Sequence, residues 1–242
     1  MSGFWLITNV FLDVFPWIFL LYMPFKDRLR FSVITTGVLN YIALTIYLLI
    51  FKKITTAEFY NLDVMFSYRV VQIFVVLTLV IFLVDDYIEK SLFVYGLLLP
   101  ISVVILVWAS HINNYITIRQ SATYLDTAVL RIIISVVCFP FMYILWKKYI
   151  VPVVKTDNRR QWRQAWIIPI IFSIVSLAYC ENDFEITYMH FHQVLARFTL
   201  SIGVVIVSVM QFSNMNTEEK FVRAEEKAKR SKMLIDMKSE QY

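Results

Sequence analysis

The chain has 242 residues, of which 59% are hydrophobic and 17% charged, and its mean hydropathy is +0.65. That much apolar side chain exceeds what one water-soluble globule of this length hides, so lipid is the expected solvent for most of it and an ordinary soluble enzyme is excluded. The formal net charge of +5 is read as membrane topology rather than as a nucleic-acid footprint, because the cations stand beside apolar runs; no nucleic-acid partner is expected.

Seven apolar runs can be drawn, each near the roughly 20 residues that carry a helix across a bilayer core of about 30 Å. They extend from Phe4 to Phe25, Ser32 to Phe51, Met65 to Val84, Ser91 to Ser110, Ala128 to Trp146, Ala165 to Cys180 and Leu195 to Phe212. The first opens on an uncharged "MSGFWL" and contains Asp13 and Pro16, which fits a retained helix rather than a cleavable signal. Because the runs are continuously apolar and do not alternate with polar residues, helices and not barrel strands are expected. The fold class is therefore all-α: a polytopic membrane bundle of about seven spans, residues 1–214, followed by a cytoplasmic helix, residues 215–242.

Orientation follows from the cations. Threading seven crossings with the C-terminus inside puts Lys26, Arg28, Arg30, Lys90, Lys147, Lys148, Lys155, Arg159, Arg160 and Arg163 on the inner side together with the basic tail. Lys52, Lys53, Arg69 and Arg119 fall outside, and Arg131 and Arg197 within spans. This bias predicts an N-terminus outside and a C-terminus in the cytoplasm. The outer connections, residues 52–64, 111–127 and 181–194, are too short for a separate domain, so any external signal must bind between helices, at these loops or from the lipid.

A few side chains stand out against this background. Asp13 and Arg131 lie within spans, where ionised groups are expensive and face a partner or water; they are candidates for an intramembrane pair, although Arg131 could also snorkel. Tyr188, His190 and His192, with Glu181, Asp183 and Glu185 nearby, make the last outer loop the most polar and aromatic one, a candidate site for a peptide or small-molecule signal. Its "HFH" spacing offers two imidazoles without a clear third ligand, so no metal is assigned; aromatics and histidines seated at the interface are the commoner explanation. Cys138 and Cys180 belong to apolar runs and define no redox compartment. Pro16, Pro100, Pro140 and Pro169 are read as ordinary helix kinks, and the basic "KTDNRRQWRQ" loop as resting against anionic headgroups.

After the last run comes "NMNTEEKFVRAEEKAKRSKMLIDMKSEQY", free of Gly and Pro and rich in helix formers. Asn216 and Glu219 fit a helix start, and they equally tolerate a helix running unbroken out of the membrane. A seam through Phe221, Ala224, Ala228, Ser231, Ile235, Lys238 and Tyr242 has four-and-three spacing, weakened by small and charged members. It allows either a solvated rod or a parallel homodimer.

The opening "FPWIFLLYMPFKDRLRFS" and the terminal "MLIDMKSEQY" resemble the membrane half of a sensor histidine kinase of Gram-positive bacteria, of the type with a GHKL ATP-binding domain. The peptide-pheromone receptor kinases share that layout more distantly. The resemblance implies a multi-helix sensor whose last helix leads to a phosphate-accepting histidine and a kinase core in a two-component system. Here His111, His190 and His192 all precede the tail, and the four glycines are isolated, so no phosphate acceptor or nucleotide loop can be assigned. On this reading the chain is a truncated or fragmentary kinase that ends mid-helix before the kinase core, with no catalytic residues and no cofactor of its own. The alternative is a small transporter or transport accessory protein, for which Asn9, Asp13, Asn40, Gln72 and Arg131 would have to line one path.

Overall fold

The computed structural model describes residues 3–50, 62–117, 124–156, 159–181 and 191–239. Helix α1, Gly3–Tyr22, passes through a 3-10 turn, Met23–Arg28, whose Pro24 sits at a first-turn position where a missing N–H costs nothing. Helix α2, Val33–Ile50, starts where the Ser32 hydroxyl accepts the Thr35 N–H at 3.1 Å, an N-cap. Helices α3, Leu62–Leu83, and α4, Ile88–Thr117, are separated by a short acidic turn in which the Asp86 carboxylate accepts the Tyr87 N–H at 2.8 Å. Helix α5, Tyr124–Leu145, continues through a π turn, Trp146–Ile150, and a final helical turn, Val151–Val154. A short α6, Arg159–Ala165, leads into α7, Ile167–Glu181.

Helix α8, Phe191–Ser239, is a single 49-residue element, about 74 Å long at 1.5 Å per residue. It does not restart at Asn216. The boundary expected between residues 214 and 215 thus falls inside one helix.

The described parts of the apolar runs drawn from the sequence are almost wholly helical, the sixth crossing a turn at Trp166, and among the described residues there is no strand, only one antiparallel bridge between Leu29 and Val84. Among the described residues, two helices are long and apolar enough to cross a membrane by length and composition, over Ile88–Ile105 and Val129–Val154. They are used in opposite ways. Two-thirds of the first window, 67%, is buried, and Phe93, Val94, Leu97 and Leu98 make α4 the central helix around which α3, α5, α7 and α8 pack. Only 17% of the second is buried, leaving Val129, Ile133, Val136, Val137, Phe141 and Ile144 on the outside.

The connections after α1, α3 and α5 meet at one end of the bundle. Arg30 N–H donates to the Leu83 carbonyl at 2.9 Å and Asp85 N–H to the Arg28 carbonyl at 2.8 Å, joining the first two as a short ladder. The third closes over them: Trp162 of α6 is fully buried, packs edge-on against Phe93 at 5.4 Å and donates its indole N–H to the Thr156 carbonyl.

Candidate functional site

That junction holds a compact ionic cluster. Asp86, its side chain 4% exposed, accepts from Arg28 at 2.6 Å and from Lys90 at 3.1 Å on the same oxygen. Lys90, one turn into α4, has no exposed side-chain surface, and its ammonium lies 5.4 Å from the Tyr87 ring centre and 5.6 Å from that of Trp162. The Arg159 guanidinium covers Tyr87 at 5.5 Å. A buried ammonium needs both a counter-charge and polarisable neighbours to offset lost hydration, and the carboxylate and two ring faces supply them. At the rim, Lys155 reaches Asp27 at 3.3 Å and Arg30 approaches Asp85 at 3.7 Å, both solvent-exposed pairs. The cluster can fix three connections relative to one another.

A second polar feature lies along α4. Pro100 sits inside this helix and has no N–H to give to the Gly96 carbonyl four residues back. Ser173 of α7 takes the vacant role: its hydroxyl is 2.8 Å from the Gly96 carbonyl and also 2.8 Å from the Pro169 carbonyl of its own helix. The Pro100 carbonyl in turn accepts from Ser201 of α8 at 3.1 Å. The absence of a side chain at Gly96 is what permits the contact, since a Cβ there would stand 2.9 Å from the Pro169 backbone. Pro100 is thus more than a kink: the carbonyl its missing N–H leaves open is answered by a hydroxyl of α7, while α8 bonds the Pro100 carbonyl itself.

Between α1 and α2, the Tyr22 hydroxyl donates to Asn40 at 3.3 Å while the Asn40 amide donates to the Thr36 carbonyl at 2.8 Å, so this buried amide is occupied by neighbours.

Of the residues singled out in the sequence, Arg131 is 2% exposed, turned into the bundle from α5 rather than snorkelling outward. Helix α1 packs along α5 through Phe19 against Phe139 and Tyr143, which places the backbones carrying Asp13 and Arg131 on neighbouring helices. The Asp13 side chain lies outside what is described, as do Tyr188, His190 and the side chain of Ile235, and Tyr242. His192 is exposed in the first turn of α8. Phe221, Ala224 and Ala228 are exposed on the distal part of α8, with Phe221 at 73%, and the i,i+4 pair Glu225–Lys229 closes at 2.7 Å beside them.

The ionic cluster escaped the sequence reading. Its one local trace is the four-residue spacing of Asp86 and Lys90; Arg28 lies 58 positions from Asp86, and Trp162 further still. No protein-family model, curated protein or solved structure matches the chain.

Proposed function

We propose that this chain is the multi-pass membrane sensor module of a two-component histidine kinase, with its N-terminus outside and its C-terminus in the cytoplasm. It perceives an external or lipid-borne cue in its helical bundle and relays a change in packing through α8 to a kinase core. The observation that carries this reading is the continuity of α8, one helix from Phe191 to Ser239 that is packed on α4 at one end and has exposed, charged side chains among the described residues at the other. A rigid rod of this kind transmits rotation or sliding without loss at a joint, and a cue shifts it only by binding its two packing states unequally.

Membrane embedding in seven spans is supported by the outward faces. A core helix of a soluble protein would be covered, whereas α5 is apolar and uncovered, and α2 exposes Ile34, Val38, Ile42, Ile46 and Ile50. Contiguous apolar surface on this scale needs an apolar solvent. The inward orientation is supported by the ends that converge: Arg28, Arg30, Lys90, Lys155 and Arg159 gather at one pole, with Lys26 in the same turn as Arg28, in line with the positive-inside bias.

Two measurements test the reading. Reporters active on one side only, fused after Lys155 and after Tyr242, should both report from the cytoplasm; a signal from outside at either point sinks the topology. A kinase core joined after Ser239 with one to seven inserted residues should switch its autophosphorylation with the roughly 3.6-residue period of a helix. Output indifferent to insertion phase removes the relay. The transporter alternative predicts instead a solute flux in liposomes that ignores this phase; against it, Asn40, Ser173 and Ser201 spend their hydrogen bonds on neighbouring helix groups.

A further inference from the structure

We infer that Ser201 is the latch that sets the position of α8 in the bundle, its hydrogen bond to the Pro100 carbonyl being the contact that opens when α8 moves. The inference rests on α8 being the relay, and it names the regulated contact.

Helices α7 and α8 meet the proline break of α4 in different ways. Helix α7 is held by shape and by hydrogen bonding together: the Pro169 backbone fills the space left by Gly96, and Ser173 bridges to the Gly96 carbonyl. Moving α7 would force backbone past backbone and strand a buried carbonyl. Among the described residues of α8 no such interlock is seen. A Cβ at Gly203 would meet nothing within 4 Å, Ile202 and Ile206 point outward, and Val204 is the fully buried apolar side chain one turn from Ser201. Apolar contacts are non-directional, whereas the bond from Ser201 fixes depth and rotation at one point.

Two other hydroxyls among the described residues of α8 stay within the helix. The Thr199 hydroxyl turns back to the Leu195 carbonyl and that of Thr217 to the Ser213 carbonyl, both within α8. Ser201 reaches instead to a carbonyl of the central helix at 3.1 Å, at a site 5% exposed. Opening this bond leaves the serine free to bond back within its own helix, as Thr199 does, so the released state keeps its donor satisfied. Two states of similar energy are what a switch needs.

The test uses the full chain in liposomes, with Cys138 and Cys180 replaced by serine and single cysteines placed at Ser213, Asn214, Thr217 or Lys220 to react with a water-soluble maleimide. Ser201→Ala should displace the boundary of reactivity along α8 by about one residue, roughly 1.5 Å. Ser201→Thr, which keeps a hydroxyl, should leave the boundary native, and reference cysteines at Lys148 and Tyr149 should not change in any variant. A Ser201→Ala profile that overlays the parent overturns the latch. So does a Ser201→Thr profile that matches alanine, or a shift shared by the reference positions, which would mean general loosening. These outcomes are read without kinase output: a shifted boundary beside a phase-independent chimera sinks the relay and leaves the latch standing.

Discussion

Lys90 and Asp86 stand one helical turn apart at the start of α4, 3.1 Å between ammonium and carboxylate, with 0% and 4% of their side chains exposed. Asp86 is also the carboxylate on which Arg28 closes at 2.6 Å. Removing the shared carboxylate takes a counter-charge from two cations at once, one of them fully covered, and breaking a buried pair in this way costs about 3–5 kcal/mol. Asp86→Ala should therefore produce a large fall in the thermal unfolding midpoint of detergent-purified protein. Lys90→Met keeps the Arg28 to Asp86 pair and fills the same space, so its fall should be much smaller. The exposed Lys155 to Asp27 pair gives the contrast: neutralising either member should change stability by less than about 1 kcal/mol. Equal effects for Asp86 and Asp27 would show that the cluster is not a structural clasp.

Glycines in this chain answer differently to one added methyl group. At Gly96 the new Cβ would lie 2.9 Å from the Pro169 backbone, which cannot swing aside, so α4 and α7 must separate. Overpacking of this kind costs about 1–3 kcal/mol. At Gly37 and Gly203 nothing lies within 4 Å, and alanine there should be neutral or stabilising by about 0.5–1 kcal/mol through the lower entropy of the unfolded helix. The three alanine variants, ranked by thermal midpoint, should place Gly96→Ala clearly lowest. A midpoint equal to that of Gly203→Ala would mean the helices are not in that contact.

The elements themselves were legible because a continuously apolar run of about 20 residues has few alternatives to a helix, even with a lone glycine or proline inside it. What the runs could not convey is which faces meet. In a soluble amphipathic helix the polar stripe marks the outside, but α4 and α5 are apolar all round, and nothing in their composition separates the covered helix from the uncovered one. Contacts distant in sequence were hidden for the same reason: Ser173 to Gly96 spans 77 positions and Ser201 to Pro100 spans 101. Arg131 was legible as a charge out of place, and the structure shows it covered. The tail held two readings, since Asn216 and Glu219 suit either a cap or a continuing helix; the unbroken run of helix formers decides for the second.

The proline break in α4 predicts a specific failure of additivity. Ser173→Ala alone leaves the Gly96 carbonyl without its donor, a loss of about 0.5–1.5 kcal/mol. Pro100→Ala restores an N–H that can reach the same carbonyl within α4. In that background Ser173→Ala should cost close to nothing, giving a coupling energy of about 0.5–1.5 kcal/mol in a double-mutant cycle, while residues that do not share a partner would add. Additive losses in the two backgrounds would mean that the serine does not serve the break.

If hydrocarbon surrounds the bundle, a photoactivated carbene reagent dissolved in the bilayer should modify the peptides carrying Val136, Val137, Phe141 and Ile144 of α5 and Ile42, Ile46 and Ile50 of α2, all exposed. It should spare Phe93, Val94, Leu97 and Leu98 of α4, which are covered by neighbouring helices. Sequence hydropathy does not make this distinction, because all these segments are similarly apolar. A charge should divide the same way: Val137→Lys, on a position 72% exposed near the middle of α5, places an ammonium toward hydrocarbon and costs about 2.5–3.5 kcal/mol at a helix centre. Membrane insertion of that variant should fall measurably, whereas Lys148→Ala, in the π turn beyond the helix, should insert like the parent. Uniform labelling of α4 and α5 would contradict the packing described for the bundle.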